Sequence, residues 1–176
     1  MKQLTEDETR IIAIMLHENK IPKEVYEITE EHLVNFMHTY VHGFDRNPFA
    51  LNTSGYRYAR KLAGLSLLKH NVSLGASVNE IKAGMVYVIE NEVYPDHYKI
   101  GMTVDLDSRI NSYQTYDPLK RFKVKHYEFV LNRRHTEERI LKSFHLDLES
   151  GEWVKKKNCI DVFRNITHQY DKVLAK

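Results

Sequence analysis

The N-terminal part of the chain carries hydrophobic residues at helical spacing. Thr5 and Glu8 form a capping-box pattern ahead of a first apolar stripe, and Thr29 precedes a second. The second stripe has members three or four residues apart: Leu33, Phe36, Met37, Tyr40 and Val41. A third stripe, from about Gly55 to Lys69, places the following side chains inward: Tyr58, Leu62, Leu65 and Leu68. Three helices are therefore predicted, with a loop at 44–54 and a linker at 71–83.

After Gly84 the pattern changes to short β-rich runs. Residues 85–89 and 97–101 flank a brief polar loop, which predicts a β-hairpin. The elements predicted next are a helix at 104–115, a strand at 123–131, a helix at 134–148, an extended segment at 151–154 and a helix capped by Asn158. This order predicts an α+β fold, with a small antiparallel sheet flanked by helices and preceded by an α-helical N-terminal region.

The two patterns divide the chain into a helical region at 1–80 and an α+β domain at 81–176. Residues 1–80 hold 9 Lys/Arg and 10 Asp/Glu, a net of −1, whereas residues 81–176 hold 17 and 14, a net of +3. The C-terminal domain is therefore better suited to face phosphate. The helical region could serve in targeting, as a cap or in dimerisation.

Composition narrows the class of protein. The chain has 176 residues, of which 42% are hydrophobic and 28% are charged, as in globular domains. Its apolar runs are shorter than the roughly 18–20 residues of a membrane span, and its start lacks a signal-peptide pattern. The single cysteine, Cys159, excludes an intrachain disulfide and a Cys-based zinc site. These features predict a cytoplasmic protein without a membrane partner.

Four sequence features in the C-terminal domain suit phosphodiester cleavage. Tyr87 lies on the first strand, residues 98–101 form the second, and Arg109 and Glu137 follow on two helices. Such a reaction needs a group that prepares water, a cation that binds phosphate and a carboxylate that holds a divalent ion. These residue types are therefore compatible with hydrolysis of a nucleic acid.

In the same order, these residues resemble the GIY-YIG nuclease superfamily, and its phage-type branch most closely. Residues 85–87, Met-Val-Tyr, stand in place of Gly-Ile-Tyr, and Arg109 lies eight residues after Gly101. The motifs of the phage-type branch occur as Tyr-Lys-Ile-Gly at 98–101, Thr-x-x-Pro at 115–118 and Gly-Glu-Trp at 151–153. The resemblance covers Gly84 to Val154.

The resemblance implies a metal-dependent DNA endonuclease, encoded by a phage or mobile element. It implies that Tyr87 is the general base or water orienter, and that Tyr98 or Lys99 replaces the second motif tyrosine. Arg109 would bind the scissile phosphate. A helix glutamate would hold one Mg²⁺ or Mn²⁺ ion. No zinc, nucleotide or organic cofactor is implied.

Two adjacent glutamates compete for the metal. Glu137 shares a helix face with Ile140, Leu141 and Phe144 at spacings of three, four and seven, so it is predicted to point toward the sheet. A carboxylate on an apolar stripe is costly unless it is paired or metal-bound. Glu137 is therefore the favoured ligand, and Glu138 is the alternative.

DNA is the expected partner, and a homodimer would allow both strands to be cut. The side chains expected to contact its phosphates are Lys123, Lys125, Arg133, Arg134, Lys155, Lys156 and Lys157. The third helix adds a partly basic side: Arg57, Arg60, Lys61 and Lys69.

Three positions depart from the family pattern: Met85, Lys99 and Leu141. They leave open a catalytically silent DNA-binding module on the same fold. A protein-interaction factor that acts on a host enzyme through the N-terminal helices is a further alternative.

Overall fold

A computed structural model describes residues 3–23, 27–42, 53–144 and 148–168. The chain forms two compact units, Met1–Gly84 and Met85–Lys176. Among the described residues, no helix combines the length and apolarity needed to cross a bilayer. The loop predicted at 44–54 lies almost entirely outside this part of the chain.

The described residues of the first unit form three helices, as predicted: α1 (Glu6–His17), α2 (Glu30–His42) and α3 (Thr53–Ser73). The capping box of α1 is confirmed, because the Thr5 side chain accepts from the Glu8 amide and the Glu8 carboxylate accepts from the Thr5 amide. Buried side chains from the three helices include Ile11, Ile12, Met15, Leu33, Phe36, Met37, Val41, Ala63, Leu67 and Leu68. Their spacing explains why apolar periodicity located these helices.

The inward face predicted for α3 is wrong in part. Tyr58 is 65% exposed, and Leu62 and Leu65 are only half-buried. The buried stripe instead runs through Ala59, Ala63 and Leu67, because small residues let the helices approach closely.

The basic side predicted for α3 is also wrong in part. Arg60 is 7% exposed and forms two hydrogen bonds, of 2.8 and 3.0 Å, with the Glu30 carboxylate. Lys69 lies 2.8 Å from Glu8, which is buried and also accepts from Ser66. These two cations join α3 to the other helices, since a buried charge requires a partner.

The second unit is an α+β fold, as predicted. Its elements are β1 (Gly84–Glu90), β2 (His97–Thr103), α4 (Leu106–Thr115), β3 (Lys123–Val130), α5 (Arg133–Ser143), β4 (Leu148–Ser150), β5 (Trp153–Lys155) and α6 (Cys159–Thr167). The strands form one sheet in the order β3-β1-β2-β5-β4. The predicted hairpin is confirmed, since β1 and β2 pair antiparallel with Tyr87 opposite Gly101.

One predicted boundary in this unit is wrong, and one predicted cap is right in position only. The helix expected at 134–148 ends at Ser143, because Leu148–Ser150 form β4 and pair with β5. Gly151, with φ +58°, makes the turn between these strands. Asn158 precedes α6 in a left-handed conformation, and its side chain makes no capping hydrogen bond.

One face of the sheet packs on α5 and α6. Val86, Val88 and Ile100 join a cluster of buried side chains with Ile140 and Phe163 from the helices. Cys159 lies in the same cluster, and burial raises the pKa of its thiol to about 12. A buried thiol with a raised pKa is a poor nucleophile, so Cys159 packs in the core as an apolar side chain. Because successive strand residues face opposite ways, Tyr87 and Lys99 lie on the other face.

Candidate functional site

The close pairing of Tyr87 with Gly101 positions the phenol of Tyr87. The two residues are opposite each other in the β1–β2 hairpin. A Cβ atom at position 101 would overlap the hydroxyl and ring of Tyr87, so only glycine lets the ring lie across β2. The glycine that ends the Tyr-Lys-Ile-Gly motif thus makes room for the Tyr87 side chain.

Helix α4 brings a second phenol and a guanidinium to Tyr87. The hydroxyls of Tyr87 and Tyr113 lie 3.1 Å apart, and Arg109 Nε donates to the Tyr87 hydroxyl at 3.3 Å. The guanidinium carbon also lies 5.1 Å from the centre of the Tyr113 ring. Arg109 and Tyr113 are four residues apart, which places them on one side of α4. This helix therefore supplies both partners of Tyr87.

The pKa of Tyr87 is raised well above its ordinary value. Burial contributes most, and the hydroxyl of Tyr113 adds to the rise, whereas Arg109 opposes it. Tyr87 therefore keeps its proton at neutral pH. Hydrogen bonding to Tyr87 raises the pKa of Arg109, which stays charged.

Lys99 lies on the same face of the sheet as Tyr87. Its ammonium pairs with Glu152 at 2.5 Å and lies 5.9 Å from the ring centre of Tyr113. It also lies 5.7 Å from the ring centre of Trp153, which is half-buried. Lys99 is thus held by an acid and two aromatic rings.

Tyr98 does not join this group. It pairs with Val154 and packs against the apolar cluster on the opposite face of the sheet, where Lys156 Nζ lies 4.9 Å from its ring centre. The alternation of side chains along a strand separates Tyr98 from Lys99. Of the two candidates for the second motif tyrosine, the structure therefore brings Lys99 alone to Tyr87.

The two glutamates of α5 have different surroundings. Glu137 is 9% exposed, whereas Glu138 is exposed. Burial raises the pKa of Glu137 to about 7, the Glu152 carboxylate adds to the rise, and the charges of Lys99 and Arg109 oppose it. Glu137 therefore lies within electrostatic reach of the groups around Tyr87.

The carboxylate of Glu137 fits a Mg²⁺ or Mn²⁺ ion. Within the described part of the chain it makes no salt bridge, including none to Arg133 or Arg134. Such ions prefer hard oxygen ligands and keep several waters, so one protein carboxylate can suffice. A buried carboxylate without a partner is costly in the folded protein, and a bound cation would remove that cost. We name Tyr87, Lys99, Arg109, Tyr113, Glu137 and Glu152 the tyrosine–arginine site.

The C-terminal part of the chain is similar to a known family of protein domains. Residues 84–168 match the family model of the T5orf172 domain. That domain is phage-associated and of the endonuclease type, and DNA is the partner that such a domain implies. The match covers 85 of the 176 residues and includes every member of the tyrosine–arginine site. Neither the curated proteins nor the solved structures contain a significant match to the chain.

Within residues 84–168, several of the basic residues predicted to contact DNA lie in ion pairs. Lys123 lies 2.6 Å from Glu92, and both are exposed. Lys125 and Lys156 lie 3.1 and 3.4 Å from the two oxygens of Glu90. The Lys123–Glu92 pair is exposed, and exposed ion pairs contribute little to stability. Glu90 is 18% exposed, so its pairs with Lys125 and Lys156 are partly shielded from solvent. The three lysines are therefore engaged by carboxylates, which leaves less uncompensated positive charge than the sequence indicates.

The remaining predicted DNA contacts differ in exposure. Arg133 is 9% exposed, and burial, with the nearby Arg134, lowers its pKa. Arg134, Lys155 and Lys157 are exposed. Arg133 is therefore the least suited of the seven to bind a phosphate.

Sequence reasoning missed Tyr113 as a member of the site and gave Glu152 no role. The two residues Arg109 and Tyr113 are four apart on a predicted helix, a spacing that indicates neighbouring side chains on one helix face. Trp153 lies beside Lys99, and the centre of its ring is 4.8 Å from that of the exposed Tyr94. The position of Trp153 beside Lys99 depends on the register between β2 and β5, which the sequence does not specify.

Proposed function

We propose that residues 84–168 form a metal-dependent DNA endonuclease of the GIY-YIG type. The observation that carries this proposal is the environment of Arg109. Among the described residues no carboxylate pairs with Arg109, which is exposed and contacts only the two phenols. A guanidinium in this state is suited to bind a phosphate with two hydrogen bonds.

Tyr87 is proposed to orient the attacking water as a neutral phenol. Because its pKa is raised, it is a poor general base at neutral pH. Its oxygen accepts from Arg109, which leaves the phenolic proton available to Tyr113 or to a water. Of the two roles that the resemblance allows, orientation therefore fits better than proton removal.

Glu137 is proposed to hold the metal. A bound Mg²⁺ or Mn²⁺ ion would polarise the phosphoryl oxygens and offset the charge that develops on them. Arg109 and Lys99 lie within electrostatic reach of the same carboxylate, so the phosphate, the cation and both side chains can meet there. Lys99 orients Glu152 and adds positive charge in place of the second motif tyrosine.

The catalytically silent DNA-binding module is the second candidate. The ion pair between Lys99 and Glu152 favours this candidate. The second motif tyrosine of the GIY-YIG superfamily has a phenol that could contact water, whereas the Lys99 ammonium that replaces it is bound to a carboxylate. Nicking of supercoiled plasmid by the full chain in Mg²⁺ separates the two functions. Cutting that requires Arg109 supports the nuclease. Binding of a labelled duplex without any cutting supports the silent module.

A further inference from the structure

A group of metal-ligating side chains lies on the edge strand β3, and none of them belongs to the tyrosine–arginine site. His126 and Glu128 are two residues apart on the strand, so they share one face of the sheet. His168 directly follows α6, and its Nε2 lies 3.3 Å from Oε1 of Glu128. His126 Nε2 lies 3.2 Å from the same oxygen. Two imidazoles therefore converge on one carboxylate oxygen.

One of these nitrogens lacks a hydrogen-bond partner. His126 Nε2 is buried and makes no hydrogen bond, although Oε1 of Glu128 is close. The ring is held edge-on against Phe163, with the centroids 5.4 Å apart. A buried nitrogen without a partner is uncommon in folded proteins, and a missing ion or water is among its usual causes.

The spacing of the three groups suits a tetrahedral metal ion. Ligand atoms about 2.0–2.1 Å from zinc at tetrahedral angles are about 3.3–3.4 Å apart. The two nitrogen–oxygen distances, 3.2 and 3.3 Å, are close to that value. All three ligand atoms lie within 4.8 Å of one another, so a small inward movement of one imidazole would complete the set.

The chemical types of the three ligands indicate which class of metal ion the cluster would bind. Two imidazoles and one carboxylate suit zinc and similar transition metals, whereas Mg²⁺ prefers oxygen ligands alone. The side chains of His126, Glu128 and His168 are 19%, 12% and 16% exposed, so the site is partly shielded but open to an ion from solvent.

We propose that His126, Glu128 and His168 form a binding site for a divalent transition-metal ion of the zinc class. The ion fastens the end of α6 to β3, with the fourth position taken by water. Its role is structural, since metal binding free energy adds to folding free energy when the ligands come from separate elements. The site is independent of the proposed nuclease function.

Cobalt provides a direct spectroscopic test. The full chain, freed of metal and placed in excess Mg²⁺ to fill the oxygen-ligand site, would be titrated with Co²⁺. We expect one equivalent to give the visible absorption of a four- or five-coordinate cobalt–imidazole site, and Zn²⁺ to displace it. Zn²⁺ should also raise the thermal midpoint of unfolding.

Single substitutions assign the site. We expect His126→Ala and His168→Ala each to weaken Co²⁺ binding by at least about tenfold and to remove the Zn²⁺-dependent stabilisation. His135→Ala, at an exposed position on α5, is the matched control and should leave both unchanged. His38→Ala removes one member of the stacked histidine pair on α2 and should also have no effect.

The folded state of each variant would be checked by circular dichroism. If His126→Ala does not fold, His168→Ala decides alone, because that residue lies beyond the last turn of α6. The proposal is overturned if the wild-type chain binds no Co²⁺, or if the absorption survives in a folded His168→Ala variant. The three side chains would then be a hydrogen-bonded cluster without a metal.

Discussion

Replacing Glu137 with glutamine is expected to stabilise the second unit at alkaline pH while removing the proposed metal ligand. Glu137 is 9% exposed, and burial raises its pKa from the ordinary 4.5 to about 7. The amide of glutamine has the same shape but no charge. The variant therefore tests whether the buried Glu137 carboxylate destabilises the folded protein when no metal ion is bound to it.

The direction of the effect follows from proton linkage. Below pH 4.5 the Glu137 carboxyl is protonated in both the folded and the unfolded state, so it changes stability little. As pH rises above 4.5 the unfolded chain loses this proton first, which favours unfolding. The penalty is complete above about pH 7 and amounts to about 3 kcal/mol. The wild-type protein should lose this stability as pH rises, and the variant should not.

Urea unfolding followed by tryptophan fluorescence measures this directly. Trp153 is the only tryptophan in the chain and lies in the second unit, so its signal reports on that unit. Measurements without divalent ions would compare about pH 4 with about pH 8. Glu138→Gln, at the exposed neighbouring position, should change stability by less than about 0.5 kcal/mol at either pH.

Mg²⁺ provides the complementary measurement. At about pH 8 it should stabilise the wild-type protein, because the ion is proposed to bind the ionised Glu137, and it should have little effect on Glu137→Gln. In the urea experiment without divalent ions, an equal difference in unfolding free energy between wild type and Glu137→Gln at about pH 4 and about pH 8 would refute the reasoning.

Three further predictions concern other contacts. Gly101→Ala should cost about 1–3 kcal/mol and most of the cleavage activity, because the new methyl group displaces the Tyr87 phenol; urea unfolding and plasmid nicking measure both. Arg60→Ala should lower the thermal midpoint by removing a buried partner of Glu30, whereas an unchanged midpoint would contradict the assigned contact. Asp117, whose pKa is lowered to about 2 mainly by hydrogen bonds from a neighbouring arginine, stabilises the fold above its ordinary pKa of 3.8. That stability should be lost as pH falls toward 2, and Asp117→Asn should show a weaker acid dependence in an acid titration.

Apolar periodicity was sufficient to locate most of the helices and strands. The stripes of α1 and α2 and the β-rich runs of β1 and β2 each match an element of the structure. These patterns work because burial on one face is what makes an element stable. Strand β4 was missed because it has three residues, and its pairing with β5 depends on the turn at Gly151.

The members of the tyrosine–arginine site were only partly predictable. Tyr87 and Arg109 come together as expected, and the helix face of Glu137 is correct. Tyr98 lies on the opposite face of the sheet from Tyr87, because the register that sets Tyr87 opposite Gly101 turns Lys99, and not Tyr98, to the same side. Local spacing therefore identifies faces within one element, but contacts between elements require the pairing of strands.

Single-turnover nicking of supercoiled plasmid in Mg²⁺ tests the central claim most directly. The account predicts that wild type and Glu138→Gln nick at similar rates, and that Glu137→Gln is slower by at least about 100-fold while remaining folded. Equal rates for Glu137→Gln and Glu138→Gln, or cleavage by wild type that persists after divalent ions are chelated, would contradict the proposal that Glu137 holds a catalytic metal.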